Sequence, residues 1–337
     1  MTIHSRISGF GFHVPATSLS NADIESRCDI TDEWILSRTG IATRRILGEG
    51  ESGSDLALAA STAALENCGR KADEITHIVY TTCTPDACCP SAACTLAGKL
   101  GIDGLMAVDV NAACAGFVNG MELADALVAR SPAACVLLVA SECLSHRCNW
   151  EDRTTAVLFG DGAGAVLVTG SATPPPAAAP RNLSGEILDI IIGSDGSKGD
   201  LLLISGGFSA SPYKLGDRVG PDYFIRMQGG LVFKQAVRCM TACCKELLER
   251  NSLGAKDVDL FIPHQANSRI IEAVGSRLDI PAERVFLNVH KYGNTSAASI
   301  PLALGEAMQE GRIERGMRVL VATFGGGLTW GAALMRF

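Results

Sequence analysis

The stretch AVDVNAACAGFVNGMELADAL, residues 107–127, decides the fold class of this chain. Ala107 to Val110 have the character of a short buried strand. From Cys114 onward the apolar residues recur at steps of three and four, the period of a helix that is buried on one side. Those residues are Phe117, Met121, Ala124 and Val128. The stretch therefore predicts a strand that turns directly into a helix, with Cys114 at the turn.

The position of Cys114 suggests a reactive thiol. A cysteine at the N-terminus of a helix lies near unpaired backbone N–H groups and the positive end of the macrodipole, and both favour the thiolate. A thiolate held in this way is a nucleophile. The alternative interpretation is a small buried thiol with a structural role, since free cysteine is among the most buried residue types. The choice between them depends on residues later in the chain.

The composition indicates a folded α/β enzyme. The chain has 337 residues, of which 47% are hydrophobic and 19% charged, and it contains 36 glycines. These values argue against disorder and favour a large core with many tight turns. No apolar run is long enough to span a bilayer, and the first residues, MTIHSRISGFGFHVP, lack the apolar core of a secretion signal. We therefore expect a cytoplasmic location and no membrane partner.

The charge and the cysteines narrow the class of protein further. A net charge of −7 disfavours nucleic acid as a partner. The thirteen cysteines are an odd number, and adjacent pairs such as Cys88-Cys89 do not resemble a disulfide framework, so we expect reduced thiols. The group Cys83, Cys88, Cys89 and Cys94 lacks the C-x₂-C spacing of a zinc site. We therefore expect no metal and no cofactor.

A faint internal repeat divides the chain into two halves. The order of helices and apolar strands is the same in both, which predicts two similar α/β halves packed face to face as one cooperative body. The matched segments are 54–82 with 233–265, 107–127 with 285–308, 133–142 with 317–326, and 160–170 with 325–337.

A proline- and alanine-rich segment, SATPPPAAAPRNLSGE at 171–186, separates these halves. Its composition predicts an exposed connection. We therefore place an N-terminal half at residues 1–172, the connection at 173–186 and a C-terminal half at 187–337.

Superposing the two halves brings three distant side chains together. The loop after the strand ITHIVYTT matches the loop that carries His264, and the turn that holds Cys114 matches the turn that holds Asn294. All three would lie at strand ends facing one pocket, which is where α/β folds place reactive groups. His290 is close enough in sequence to be a rival to His264.

An ordered set of motifs then identifies a family. They are DEWILSRTGI at 32–41, PSAAC at 90–94, DRTTAVLFGDGAGA at 152–165, VDVNAACAGF at 108–117, PHQAN with GNTSAAS at 263–267 and 293–299, and FGGGLTWGAALMRF at 324–337. From about residue 7 to residue 337 the chain resembles the β-ketoacyl-acyl-carrier-protein synthase III family. The resemblance implies a thiolase-like α/β fold, in which duplicated βαβαβαββ halves form a five-layer α-β-α-β-α sandwich.

The resemblance also implies an activity. Members of the family condense a short acyl-CoA with malonyl-acyl-carrier protein, lose CO₂ and so initiate fatty-acid synthesis. Cys114 would carry the acyl group as a thioester, and His264 and Asn294 would donate to the enolate oxygen. The Cys114 N–H and an N–H of the Gly325-Gly326-Gly327 loop would form the oxyanion hole. The glycines have an alternative interpretation as tight turns and close strand contacts.

The residue at one position before the glycine loop distinguishes this chain from a related class of enzyme with the same fold. The resemblance implies that a thiolase would carry a second cysteine before the glycine loop, where this chain has Phe324. Without that thiol, decarboxylation is the reasonable route to the carbanion. Two alternatives stay open: a condensing enzyme of secondary metabolism that uses another acceptor, and a catalytically inactive paralogue that binds carrier protein. The intact Cys114, His264 and Asn294 argue against the inactive paralogue.

The resemblance places the substrates as well. Trp34 and Arg153 would enclose the adenine of CoA and Arg38 would meet phosphate. The pantetheine arm would contact Asn267, and the tunnel would be lined by Gly229 and Phe233. Acyl-carrier proteins are acidic, so a locally basic surface should receive them. The docking candidates are Lys234 and Arg238, one turn apart, and Arg269 and Arg277 on the helix after HQAN.

One departure from the family pattern concerns the primer. Cys89 stands before PSAAC where the best-known members carry Phe, and in the family that side chain reaches across a homodimer interface into the acyl pocket of the partner. A smaller residue there would admit a longer or branched acyl group. We therefore expect a homodimer whose acyl-CoA primer is acetyl-CoA or a longer or branched relative.

Overall fold

The computed structural model describes residues 5–170 and 184–337. The N-terminal half contains β1 (Ser5–His13), β2 (Ser18–Ser20), α1 (Asn21–Glu25), α2 (Asp32–Thr39), β3 (Thr43–Arg45), α3 (Gly53–Cys68), β4 (His77–Thr81), α4 (Ala92–Leu100), β5 (Met106–Val110), α5 (Gly116–Arg130), β6 (Cys135–Cys143) and β7 (Asp161–Gly170). The C-terminal half contains β8 (Gly185–Ser194), β9 (Leu202–Leu203), β10 (Arg226–Met227), α6 (Gly229–Arg250), β11 (Leu260–Pro263), α7 (Ser268–Arg277), α8 (Val289–Tyr292), α9 (Ser299–Gln309), β12 (Arg318–Gly325) and β13 (Thr329–Arg336).

Nine of these strands form one sheet, in which the order of strands on one side of the β8–β1 pair repeats the order on the other side. The order is β11-β12-β13-β8-β1-β7-β6-β4-β5. On one side β4 is parallel to β6, and β6-β7 and β7-β1 are antiparallel. On the other side β11 is parallel to β12, and β12-β13 and β13-β8 are antiparallel. The matching directions confirm the duplication predicted from the internal repeat.

The duplication is incomplete at one edge. In the N-terminal half the outer strand β5 runs parallel to β4 over five residue pairs. Its counterpart in the C-terminal half is reduced to a single parallel bridge between Val285 and Phe261. The segment that follows this bridge, Phe286–Asn288, instead leads into the short helix α8. The predicted βαβαβαββ order is therefore complete in the first half and lacks one regular strand in the second.

Three apolar clusters fix the layer order, because each strand face must be covered by helices. Helices α3 and α4 cover the outer face of the N-terminal strands, and α6 and α7 cover the outer face of the C-terminal strands. Between the two sets of strands lie α5 and α9, whose side chains form a cluster with residues of both halves. Strands β6 and β7 are buried along their whole length. The arrangement is the predicted five-layer α-β-α-β-α sandwich.

The halves also meet edge to edge. Strands β1 and β8 pair through Arg6 with Glu186 and Ile7 with Gly185, which joins the two sets of strands into one sheet. The segment 171–183, which holds most of the predicted connection, lies outside the described residues. The proposed boundaries at 172 and 187 stay predictions, although β8 already begins at Gly185. In the described part of the chain, no helix has the length and apolar character needed to cross a membrane.

Candidate active site

Cys114 lies where the central helix α5 begins. Ala113–Ala115 form one 3₁₀ turn between β5 and α5, as the sequence predicts for the residues around the thiol. Ala113 has a φ of +46°, which is costly for a residue with a Cβ and persists only where surrounding contacts hold it. One such contact is the hydrogen bond that the Ala113 N–H donates to Asn111 Oδ1, at 3.2 Å. The turn presents Cys114 at the C-terminal edge of the N-terminal strands.

The C-terminal half repeats this turn. Ser296 has a φ of +50°, and its N–H donates to Asn294 Oδ1 at 2.9 Å, just as Ala113 does to Asn111. A 3₁₀ turn and then α9 follow Ser296. The two turns are equivalent residue by residue, so Asn294 corresponds to Asn111. This equivalence is the physical basis of the predicted approach of Asn294 to Cys114.

The glycine loop lies directly against the Cys114 backbone. A Cβ at Gly325 would lie 2.7 Å from the Cys114 nitrogen and 3.1 Å from its Cβ, so only glycine allows this approach. Thr323 Oγ1 donates to the Cys114 carbonyl at 2.7 Å and Thr329 Oγ1 to the Ala112 carbonyl at 2.9 Å. These bonds hold the turn and the loop together, so the glycine loop lies against the backbone of Cys114.

His264 follows the end of β11 and is 3% exposed. Its Nδ1 lies 2.6 Å from Ser299 Oγ, at the start of α9. The same Ser299 oxygen accepts the Gln265 N–H at 3.4 Å, so its own proton is free for Nδ1. We infer from these partners that the hydrogen of the neutral ring is on Nε2. Burial lowers the pKa of His264 to about 3, so the imidazole is neutral at pH 7.

Asn294 is fixed by its backbone and by its amide oxygen. Its N–H donates to the Leu158 carbonyl at 2.8 Å, and its own carbonyl accepts the Gly160 N–H at 3.0 Å. Because Oδ1 accepts the Ser296 N–H, the Nδ2 donor is turned away from the turn. A hydrogen-bond donor is thereby available to the space that Asn294 lines.

One cavity of about 450 Å³ brings the three predicted residues together. Cys114, His264 and Asn294 all line it, together with Phe324 at the position that distinguishes the chain from a thiolase. The same cavity is lined by all six residues predicted to bind CoA: Trp34, Arg38, Arg153, Gly229, Phe233 and Asn267. The proposed nucleophile therefore lies in the same space as the proposed CoA residues.

The predicted CoA residues already contact one another. The Arg38 guanidinium lies 4.8 Å from the centre of the Trp34 ring, one helical turn away on α2, so the two side chains share one face of this helix. Asn267 caps α7 by accepting the Arg269 N–H at 2.9 Å, and its Nδ2 donates to the Arg38 carbonyl at 3.0 Å. The Asn267 amide thus joins α2 to α7 at the cavity wall.

A second cavity, of about 420 Å³, meets the first at Cys114. Its wall is mostly apolar, with a few polar groups near Cys114 itself. Its apolar lining includes Leu144, Phe159, Leu202, Ile204, Phe208 and Ile225. The sulfur therefore lies between a space lined by the proposed CoA residues and a space suited to a hydrocarbon chain.

The prediction that Cys114 favours the thiolate is wrong for the site without substrate. Burial raises the pKa of the Cys114 thiol to about 12, and it is the largest effect there. A hydrogen bond with Ser296 lowers the pKa of this thiol, whereas the charge of Glu142 raises it. The sequence predicts the helix N-terminus, which lowers the pKa of a thiol, but it does not show how far the thiol is desolvated. In this site desolvation raises the pKa by more than the helix lowers it.

Glu142, a buried acidic residue whose charge raises the pKa of the Cys114 thiol, is not among the residues predicted from the sequence. It is the penultimate residue of β6, is fully buried, and accepts from Thr84 Oγ1 at 2.7 Å, Ser296 Oγ at 2.9 Å and the Cys83 N–H at 3.1 Å. Burial raises the pKa of this carboxyl group, and these donors oppose the rise. In the sequence, Glu142 follows the apolar run of AACVLLVASE. An acidic residue at the end of a buried strand indicates a site with polar partners, because a buried charge needs them.

Replacing Glu142 by Gln should lower the pKa of the Cys114 thiol. Removing a buried negative charge makes the thiolate easier to form, by on the order of one pH unit. Alkylation of Cys114 by iodoacetamide at pH 8 should then be about three- to tenfold faster, because a lower pKa also reduces intrinsic nucleophilicity. Peptide mass spectrometry over a pH series measures the rate at Cys114 alone.

Ser296→Ala is the matched control for Glu142→Gln. It removes the hydrogen bond that lowers the pKa of the thiol, so alkylation should become slower. Changes of the same sign in both variants would contradict the assignment and point to a general loosening of the site.

Gly326 and Gly327 of the glycine loop line the second cavity. Among the predicted docking residues and Cys89, Arg269 alone lines either cavity. Arg269 lines the CoA-side cavity and lies 5.9 Å from the ring of Phe233. The exposed side chains of Lys234, Arg238 and Arg277 lie on α6 and α7. Cys89 is exposed and lines neither cavity, so its role in an acyl pocket requires a second copy of the chain.

The other candidates from the sequence have no place at the site. His290 is half-buried and lines neither cavity, whereas His264 lines the same cavity as Cys114. All thirteen cysteines are free thiols. Within residues 5–170 and 184–337, no group of three or more His, Cys, Asp or Glu side chains is arranged to hold a metal ion.

The chain matches two family models. Residues 108–196 match the model described as 3-Oxoacyl-[acyl-carrier-protein (ACP)] synthase III, and residues 248–337 match its C-terminal model. These ranges contain Cys114, His264 and Asn294.

Similar proteins extend the match over the whole chain. The Beta-ketoacyl-[acyl-carrier-protein] synthase III of Nitratidesulfovibrio vulgaris strain DP4 is 58% identical over 337 residues, covering 100% of both chains. That of Oleidesulfovibrio alaskensis is 54% identical over 336 residues, again with 100% of both covered. The crystal structure of 3-oxoacyl-[acyl-carrier-protein] synthase III from Aquifex aeolicus has a TM-score of 0.88 at 42% identity, covering 99% of this chain and 100% of that one. The chain therefore belongs to the 3-oxoacyl-[acyl-carrier-protein] synthase III family.

Proposed function

We propose that this protein condenses a short-chain acyl-CoA with malonyl-acyl-carrier protein to give 3-oxoacyl-acyl-carrier protein, CoA and CO₂. This reaction initiates fatty-acid synthesis. The observation that carries the proposal is the single cavity in which Cys114, His264 and Asn294 meet the residues suited to CoA. Relatives at 54% and 58% identity carry the synthase name, so the alternative of a secondary-metabolism enzyme is not favoured.

The first half-reaction transfers the acyl group to Cys114. The Cys114 sulfur attacks the thioester carbonyl of acyl-CoA, the carbonyl–sulfur bond to CoA breaks, and CoA leaves as the thiol with the proton that Cys114 gives up. The departing CoA sulfur is the acceptor of that proton, because the His264 ring presents Nε2–H and its Nδ1 is bonded to Ser299. The Cys114 N–H and the loop at Gly325 would stabilise the oxyanion, since preorganised donors act strongly where water is excluded.

The second half-reaction forms the new carbon–carbon bond. Malonyl thioester loses CO₂, and the electron pair of that bond becomes an enolate whose oxygen accepts from His264 Nε2–H and Asn294 Nδ2–H. The enolate carbon attacks the acyl group on Cys114, and the thiolate that leaves takes up a proton. A neutral histidine suits this role, because it keeps the Nε2 donor without adding a charge to the buried site.

We also propose that the protein binds acyl-carrier protein and forms a homodimer in the cytoplasm. The acyl-carrier protein would dock beside the mouth of the CoA-side cavity, where Arg269 lies close to Phe233. The protein would act as a cytoplasmic homodimer, with Cys89 of one copy near the acyl group of the other. No cofactor is required, because cleavage of the acyl-CoA thioester and the release of CO₂ supply the driving force, while the thioester to the carrier protein is retained in the product.

Charge reversal of Arg269 should weaken use of the acidic carrier protein. Arg269→Glu is expected to raise the KM for malonyl-acyl-carrier protein about tenfold, in a manner that depends on salt, because docking is electrostatic. Arg277→Glu carries the same charge change eight residues later on α7, about 12 Å along the axis, and should have a smaller effect. Acylation from acetyl-CoA in the absence of carrier protein is the control, and an equal loss there would contradict a docking role.

The direct test of the proposed function follows all three products. Purified protein, acetyl-CoA and malonyl-acyl-carrier protein should yield free CoA, CO₂ and 3-oxobutyryl-acyl-carrier protein in equal amounts. Release of CoA without a condensed product would show an acyltransferase or hydrolase instead. Competition among acetyl-, isobutyryl- and hexanoyl-CoA then measures the primer, and strict preference for acetyl-CoA would contradict the expectation based on Cys89.

A further inference from the structure

The loop between β9 and β10 closes one side of the apolar cavity. It is a folded loop: Asp222 accepts from Ser211 Oγ at 2.5 Å and from the Tyr213 hydroxyl at 2.8 Å. The rings of Tyr213 and Tyr223 lie 6.4 Å apart across it. The loop therefore has a defined shape, and it places Phe208 at the cavity wall.

Arg147 holds this loop from the other half of the protein. It ends the 3₁₀ turn Leu144–Arg147 after β6, and its carbonyl accepts the Ile225 N–H at 2.8 Å. Its guanidinium lies 4.1 Å from the centre of the Tyr223 ring and 5.8 Å from that of Phe208. A planar guanidinium can stack on aromatic rings in this way, whereas an ammonium group cannot do so equally well.

Phe208 separates the cavity from solvent. It is 50% exposed, yet it lines the same cavity as Cys114. One part of the side chain therefore meets water while another contacts the space that the proposed acyl chain would enter. Leu215 and Val219 on the same loop are also exposed and line neither of the two cavities at Cys114, so exposure alone does not distinguish Phe208.

Resting on the proposed function, we propose that Phe208, held in place by Arg147, is a specificity-determining residue that limits the length of the acyl chain carried by Cys114. An acyl chain that extends past the ring would have to displace it. Removing the ring opens the cavity to solvent at that point and allows a longer chain to pass.

The test compares primers in one competition assay. Phe208→Ala should increase the kcat/KM ratio for octanoyl-CoA over acetyl-CoA about tenfold or more, since relief of one poor fit in an apolar pocket is worth at least this factor. Arg147→Ala should change the ratio in the same direction by a smaller factor. Phe208→Trp, which enlarges the wall, should change it in the opposite direction, so a folding defect in one variant leaves the proposal testable.

Leu215→Ala is the matched control and should leave the ratio unchanged. Acetylation of Cys114, followed by intact mass, separates this proposal from the proposed function. Normal acetylation with an unchanged primer ratio in both Phe208 variants would overturn the role of Phe208 and leave the condensing activity intact. A ratio that responds to Cys89→Phe but not to Phe208→Ala would overturn it as well and assign chain length to the dimer interface. Absence of acetylation in the unmodified protein would instead refute the proposed function.

Discussion

Cys114→Ala is expected to abolish the acyl-enzyme and to reduce condensation by at least about 10³-fold, because removal of a covalent nucleophile leaves no equivalent route. The unmodified protein incubated with acetyl-CoA should gain one acetyl group on the peptide that contains Cys114. The variant should gain none. Intact-protein and peptide mass spectrometry measure both results.

Cys83 provides a matched control for this prediction. Its thiol also lines the apolar cavity and contacts Glu142, at 3.4 and 3.5 Å from the two carboxylate oxygens. It lacks the adjoining loop at Gly325 that would hold an oxyanion. Cys83→Ala should therefore keep the acetyl group on Cys114, and an acetyl group that moves to Cys83 or disappears would contradict the assignment of the nucleophile.

The fold could be predicted from the sequence because the same order of strands and helices occurs twice in it. The strand–turn–helix around Cys114 and its weaker copy around Asn294 have the same hydrophobic periods, and the structure gives them the same turn. The sequence did not show that the second copy loses a strand at Val285. Only one bridging residue pair remains of that strand. It lies at the edge of the sheet, where the hydrophobic pattern of the sequence carries little information.

The positions of the site residues followed from pseudosymmetry, whereas their protonation did not. The approach of Cys114, His264 and Asn294 requires only that equivalent strand ends meet. The raised pKa of the Cys114 thiol depends on desolvation and on Glu142, both of which are set by tertiary packing. The tautomer of His264 likewise depends on Ser299, 35 residues away in the chain.

A resting thiol and a neutral imidazole fit together chemically. A permanent thiolate beside the carboxylate of Glu142 would place two negative charges in one buried site, which is costly. A neutral thiol and a neutral ring avoid that cost until acyl-CoA arrives. The site thus delays charge formation to the two steps in which the oxyanion loop or the enolate donors can stabilise it.

His264→Ala is expected to separate the two half-reactions. Loss of the Nε2 donor should slow decarboxylation and condensation by about 10²–10³-fold, the usual cost of one oxyanion-type donor. Acetylation of Cys114 should fall much less, because the glycine loop and the Cys114 N–H, which serve that step, are unchanged. Rapid-quench measurement of acyl-enzyme formation, beside CO₂ release from malonyl-acyl-carrier protein, gives both rates.

The Cys114 and His264 variants should therefore fail in opposite ways. Cys114→Ala keeps the two enolate donors and should still release CO₂ from malonyl-acyl-carrier protein, although it cannot be acetylated. Asn294→Ala, which removes the other donor, should resemble His264→Ala in losing condensation while keeping acetylation. This pattern would assign Cys114 to the acyl-transfer step and the His264 and Asn294 donors to the decarboxylation step. Equal loss of acetylation and CO₂ release in His264→Ala would show instead that the imidazole removes the thiol proton and that the half-reactions share it.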